Sequence, residues 1–141
     1  MSIRTGLLVL LLVAAYSPPA APAQDSSQVV GAARRWLALV DSGRYATSFD
    51  SAAPLLRQMA GTADGWGKFV GQARTKFPPN PGSSRVVVRV DFAYSPEGAP
   101  PGRYVRIDFR VVAAGATVPE FVVLQEIPAG WLVAMYGTTG R

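Results

Sequence analysis

General acid–base catalysis by an Asp or Glu beside a tyrosine is the enzyme chemistry that the residue types of this chain leave open. Such a site needs a carboxyl group that points into the protein and reaches the tyrosine. Tyr94 and Tyr136 lie in predicted strands, Tyr104 directly precedes one, and all three are candidates to line a cavity. We find no inward carboxyl group to pair with them, because Asp91 and Asp108 alternate with arginines and are expected to face solvent.

Other catalytic chemistries lack the residues that they need. Asp41 and Asp50 lie near the ends of predicted helices, where turn and capping roles explain an aspartate. The chain of 141 residues contains no histidine and no cysteine, which excludes Ser-His-Asp and thiolate catalysis, disulfides and cysteine zinc sites. No glycine-rich phosphate loop, calcium loop or metal-ligand spacing is present. We therefore predict no catalytic residue, no cofactor, no metal and no enzymatic activity.

Charged residues on two predicted strands form a candidate interaction surface. Its members are Arg89, Asp91, Arg106, Asp108 and Arg110. Each is separated from the next on its strand by one residue, so they share one face of the sheet and can form cross-strand ion pairs if the strands are neighbours. This pattern favours a face that binds a protein partner or a second copy of the chain. The alternative is an outer sheet face that only contacts water.

Aromatic residues of the N-terminal half form a candidate ligand pocket. They are Trp36, Tyr45, Phe49, Trp66 and Phe69. An apolar pocket between helices and a sheet would suit a small hydrophobic molecule, and these side chains would line it. The alternative is that they fill the hydrophobic core.

Helices are predicted over residues 24–77. The apolar residues of the first helix recur at intervals of three and four, which is the spacing of one helix face: Val29, Ala33, Trp36, Leu37 and Val40. Gly43 is expected to end this helix, and shorter helical segments come after it. Residues 77–82 are rich in proline and must form a connection at the end of the helical region.

Alternating apolar residues after this connection predict four strands, at 86–94, 105–111, 121–127 and 131–136. On the first strand we expect the core-facing set to be Val86, Val88, Val90, Phe92 and Tyr94. Helices followed by an antiparallel meander predict an α+β fold in which N-terminal helices pack on a four-stranded antiparallel sheet.

Residues 1–23 have the order of a secretory signal peptide: a positive charge at Arg4, an apolar run from Gly6 to Tyr16, and the small residues Ala21-Pro22-Ala23. The apolar run is shorter than the roughly 20 residues that span a bilayer. We predict cleavage after Ala23, a single domain at 24–141 in the periplasm or outside the cell, and no membrane span in the mature chain. An uncleaved membrane anchor is the alternative.

The net charge of +5 comes from scattered arginines rather than a basic run, so no nucleic-acid partner is predicted.

Several segments together resemble a bacterial domain-of-unknown-function family, numbered 4019. The segment Ala32–Tyr45, with its Ala-Arg-Arg-Trp-Leu helix and Asp-Ser-Gly turn, together with Ser48, is similar to the opening of that family, and Trp66 resembles its second tryptophan. The loop and tyrosine of Gly98–Val105 resemble its proline–glycine hairpin. Pro119–Leu124 and Gly130–Tyr136 resemble its closing hairpin.

One segment departs from the family pattern, in which an arginine is followed by Pro-Leu-Gly before the first long strand. Arg74 is the candidate for that arginine, but Thr75–Pro79 follows it here. The resemblance implies an exported bacterial domain of cystatin-like or nuclear-transport-factor-like shape, and it implies no activity. The leading hypothesis is a non-catalytic binding module. The alternatives are a binder of a small hydrophobic ligand and, less favoured, a hydrolase or isomerase.

Overall fold

The computed structural model of this protein describes residues 23–139, and within them helices precede a sheet. The helices are α1 (Ala23–Asp41), α2 (Tyr45–Asp50), α3 (Pro54–Ala60) and α4 (Ala63–Ala73), and a 3₁₀ turn follows at Pro81–Ser84. The strands are β1 (Arg85–Tyr94), β2 (Arg103–Ala113), β3 (Ala116–Ile127) and β4 (Gly130–Gly137). The α+β class and the four antiparallel strands predicted from the sequence are confirmed.

Helix α1 has the predicted apolar face, and that face forms part of the core. Its members are all buried: Val29, Ala33, Trp36, Leu37 and Val40. The helix ends at Gly43, which adopts a φ of 75° and donates its N–H to the carbonyl of Val40. A residue with a Cβ could adopt this left-handed conformation only at a cost in conformational energy. At the start of α4 the hydroxyl of Thr62 accepts the N–H of Gly65, as expected of a helix cap.

The sheet has the order β1-β2-β3-β4, so each strand pairs with its neighbour in the chain. One face supplies core residues that pack against the helices, among them Ile107, Phe109, Val122 and Leu124. We call the opposite face, whose side chains alternate with these, the outer face.

The predicted orientation of the first half of β1 is wrong. A bulge between Val87 and Arg89 inserts Val88 into the strand, so the alternation changes phase there. Val86 and Val88 are 54% and 53% exposed, whereas Val87 packs against the core together with Val90 and Phe92. Tyr94, also predicted to face the core, is exposed at the end of the strand.

Strand β3 begins five residues before the predicted start, at Ala116 rather than Phe121. Pro119 cannot donate a ladder hydrogen bond, so a proline is unusual at this position of a strand. Pro119 is tolerated because the pairing of β3 with β4 begins only at Phe121, so β3 has no neighbour on that side before it.

Residues 1–22 of the predicted signal peptide, which covers 1–23, lie outside the described part of the chain, and its last residue, Ala23, is the first residue of α1. Its cleavage and the single domain at 24–141 stay predictions. No helix within residues 23–139 is long and apolar enough to cross a membrane.

Candidate functional site

A group of charged side chains is enclosed where the ends of several elements meet. Asp41 is the last residue of α1, Arg74 follows α4, Arg85 opens β1 and Glu120 lies near the start of β3. We call these four residues the buried ionic cluster. Their side chains are between 0% and 15% exposed.

Arg85 is the centre of the buried ionic cluster. Its two terminal nitrogens, Nη1 and Nη2, donate to Oδ2 and Oδ1 of Asp41 at 2.8 and 2.9 Å, a bidentate geometry. Its Nε donates to Oε1 of Glu120 at 2.5 Å. Arg74 also donates to Asp41, and its guanidinium lies 4.5 Å from the ring centre of Phe77. Two positive and two negative side chains therefore neutralise each other inside the protein.

The hydrogen bonds within the cluster change the acidity of its members. Burial acts to raise the pKa of Asp41, but hydrogen bonds from Arg85 and Arg74 outweigh it and hold this pKa below its usual value. Burial acts to lower the pKa of Arg85, but its contacts with Asp41 and Glu120 raise it above the usual value. Both groups are therefore held in their charged forms.

Tyr136 joins the cluster to the aromatic core. Its hydroxyl donates to Oε2 of Glu120 at 2.7 Å, and burial together with the negative charge of Glu120 raises its pKa above the usual value. The expectation that no inward carboxyl group pairs with Tyr94, Tyr104 or Tyr136 is wrong for Tyr136. Glu120 is 1% exposed because the alternation of β3 places it on the same face as the core residue Val122.

The residues of the predicted ligand pocket are divided between the core and the surface. Trp36 and Trp66 are buried, and both indole N–H groups bond to Ser48: Trp36 to its carbonyl at 2.8 Å and Trp66 to its hydroxyl at 2.9 Å. Tyr45 and Phe49 are half-buried against the same core.

Phe69 is 48% exposed and lies beside Trp66 in an open groove of about 320 Å³. Trp36 instead borders a groove of about 440 Å³ between α1 and the turn that connects β3 to β4. The five aromatic residues therefore do not line one common groove in either of these places.

The predicted charged surface lies on the outer face, as the alternation indicated. Arg89 stands opposite Asp108 and Asp91 opposite Arg106 in the β1–β2 register. The structure shows ion pairs along each strand, Arg89 with Asp91 and Arg106 with Asp108, each at 2.9 Å. Arg110 is exposed further along β2.

A groove of about 550 Å³ crosses this outer face, and we call it the outer groove. It lies between α3, the loop at residues 95–102 and strands β1 to β4. Its apolar lining includes Leu55, Met59, Tyr104, Val123 and Met135, and its charged lining includes Arg89, Asp91 and Arg106. Met59 and Met135 are 58% and 39% exposed, so two flexible apolar side chains stand beside the charged residues.

Sequence reasoning missed the buried ionic cluster, although the alternation of residues along two strands indicated that Glu120 and Arg85 face the core. Glu120, Val122 and Leu124 alternate along one strand face, and Arg85 precedes Val87 by two residues. Within residues 23–139 no group of three or more potential ligand side chains could hold a metal ion.

Comparison with known proteins gives one match. The profile of a family described as "Protein of unknown function (DUF4019)" matches residues 32–136. No curated protein and no solved structure matches the chain.

Proposed function

Because the chain belongs to the DUF4019 family, whose description assigns no activity, we propose from the structure that it is a non-catalytic module that binds a protein partner in the outer groove. The observation that carries this proposal is the outer groove itself, where exposed Met59 and Met135 adjoin the charged residues Arg89 and Arg106. Methionines adapt to the shape of a partner, and charges beside them select its orientation.

The distribution of polar groups supports binding rather than catalysis. Glu120 and Tyr136 have the residue types that acid–base chemistry uses, yet they bond to each other and Glu120 also bonds to Arg85 inside the protein. A substrate would have to reach a carboxyl group that is 1% exposed. The hydrolase or isomerase hypothesis therefore requires this region to open.

The composition of the outer groove favours a protein over a small molecule. Its charges of both signs lie along two strands, and Arg106 stacks 4.0 Å over the ring of Phe121, which removes water from one side of its guanidinium. A polypeptide can pair with several such groups at once while covering the methionines.

We place the proposed binding in the periplasm or outside the cell, since residues 1–23 have the order of a signal peptide. Expression of the full-length chain in a bacterium that exports proteins tests this. We expect to recover the protein from the exported fraction. Its intact mass should show that residues 1–23 have been removed. A retained leader in the membrane fraction would instead support the anchor alternative.

The partner proposal can be tested with a photo-crosslinking amino acid in place of Met135, in the organism that makes the protein. Gln72, exposed on α4, is the matched control position. We expect a discrete heavier band from position 135 and none from position 72. Adding Arg106→Glu should weaken the band several-fold, because it reverses a charge that lines the groove.

Equal crosslinking at both positions, or a band that does not change with Arg106→Glu, would contradict the proposed groove. If the band forms, mass spectrometry of its peptides identifies the partner and separates another protein from a second copy of this chain.

A small hydrophobic ligand is the second candidate, and the exposure of Phe69 beside Trp66 favours it. Native mass spectrometry of the purified protein should then show added mass that disappears on denaturation. Replacing Phe69 by Ser should remove that mass, whereas Val112→Ser, at an exposed apolar residue of β2 that does not line this groove, should leave it in place.

A further inference from the structure

The two edges of the sheet differ in how they are covered. At the β4 edge the N–H of Ala53 bonds to the carbonyl of Val133 at 2.8 Å, and α3 lies against the strand. At the other edge, β1 is the first strand of the sheet, and within residues 23–139 no strand pairs with its outer side. A strand edge without a neighbouring strand is a template for a further strand.

Strand β1 is long for an uncovered edge. It has 10 residues, whereas uncovered edges in monomeric proteins are usually kept short or are interrupted by charges and bulges. The bulge at Val88 interrupts its first half. From Arg89 to Tyr94 the strand pairs with β2 without a further shift, so its second half has a regular outer edge.

We propose that this edge pairs with β1 of a second copy of the chain, antiparallel and centred on Val90. A twofold axis through that position places Arg89 of each copy opposite Asp91 of the other, and both side chains are on the outer face. Arg89 and Asp91 are already paired within one chain, so the dimer extends an existing ion pair into a network of four charges.

The charges select this register over its neighbours. Centring on Asp91 would place two aspartates opposite each other, and centring on Arg89 would place two arginines opposite each other. Like charges directly across an antiparallel pair are unfavourable. In the Val90-centred arrangement the two sheets become continuous, and the helical layers lie on the same side. Arg89 and Asp91 also line the outer groove, so the dimer and the partner proposal share these two residues. The tests differ: variants at positions 89 and 91 test the dimer, and crosslinking at Met135 with Arg106→Glu tests the groove.

The test uses the full-length chain, purified as the cell processes it, and its sedimentation measured over a wide concentration range. We expect the unmodified protein to dimerise with increasing concentration. Arg89→Glu alone and Asp91→Arg alone should each raise the dissociation constant on the order of tenfold or more, because each places like charges across the axis twice.

A mixture of the two single variants gives the decisive measurement. In a mixed pair the glutamate introduced at position 89 of the first variant faces the arginine introduced at position 91 of the second. The unchanged Asp91 of the first variant faces the unchanged Arg89 of the second, so opposite charges are restored at both positions. The mixture should therefore form a heterodimer at concentrations where each variant alone stays monomeric. Arg110→Glu, the same charge change on β2 away from the axis, is the control and should dimerise like the unmodified protein.

Thermal unfolding checks that the variants are folded, which the 59% and 36% exposure of the Arg89 and Asp91 side chains leads us to expect. A protein that stays monomeric at every concentration would overturn the proposal. So would a dimer that is unchanged by both single variants, or single variants that do not dimerise and are not rescued by mixing. A failure of this test leaves crosslinking at Met135 and its sensitivity to Arg106→Glu as a separate result.

Discussion

The buried ionic cluster and the ion pairs of the outer face use the same residue types for opposite purposes. In the cluster Arg85 holds Asp41 and Glu120 through three hydrogen bonds, and its side chain is 2% exposed. On the outer face Arg89 reaches Asp91 at a similar distance, yet more than half of its side chain is in contact with water. Composition alone does not distinguish these two regions.

The difference lies in what happens when one partner is removed. A buried charge that loses its partner cannot recover its hydration, so the loss is large. An exposed charge is hydrated again and loses little. The cluster therefore holds the ends of α1, α4, β1 and β3 together, whereas the outer charges contribute little to folding and remain available for recognition.

The largest loss in the free energy of unfolding is expected from Glu120→Gln. It preserves the shape of the side chain but leaves the cluster with a net positive charge, and breaking a buried pair in this way costs about 3–5 kcal/mol. The free energy of unfolding from urea denaturation measures it. Glu126→Gln is the matched control, since Glu126 meets Arg103 at the surface and its loss should cost no more than about 1 kcal/mol. Equal costs for the two variants would remove the distinction between the regions.

A smaller loss of stability is expected at low pH, where the carboxyl group of Asp41 becomes protonated. Its pKa is lower in the folded than in the unfolded chain, so its contribution to stability is complete above the unfolded value of about 3.8 and is lost as pH falls through the folded value. Asp41→Asn should reduce stability at neutral pH and flatten this part of the pH dependence. Denaturation midpoints between pH 7 and 2 would show it. If the two proteins lose stability in parallel below pH 4, the charge of Asp41 is not what acid removes.

The smallest effect on stability is expected from Arg106→Gln. Arg106 bonds to Asp108 through side chains that are 28% and 17% exposed, so its loss should cost more than the roughly 0–1 kcal/mol of a fully exposed pair and less than the loss of Glu120. The same substitution should weaken crosslinking at Met135. A loss of several kcal/mol in the unfolding measurement would show that the outer face is part of the folding core rather than a surface for a partner.

Much of the architecture could be predicted because it depends on local pattern. The stripe of Val29, Ala33 and Leu37 predicted a helix and its buried face, and Gly43 predicted where that helix ends. The change from helical spacing to alternation marked the start of the sheet. The family was likewise identifiable from short motifs around Trp36 and Gly130.

The errors arose where one strand depends on another. The bulge at Val88 reversed the faces of Val86 and Val87, because β2 determines how many residues of β1 fit opposite it. The early start of β3 was missed because Pro119 is permitted only where β4 has not yet begun to pair.

By itself the sequence determined the order of elements, the helical stripes, the absence of histidine and cysteine chemistry, and the placement of Arg89, Arg106 and Asp108 on one face. These follow from residue type and from the periodicity of a single segment. Only the tertiary structure decided that Arg85 and Glu120 are buried together, that Asp41 joins them, and that α3 lies against the β4 edge. Those outcomes depend on which distant segments become neighbours, since the free energy of a charge is set by the groups that replace its water.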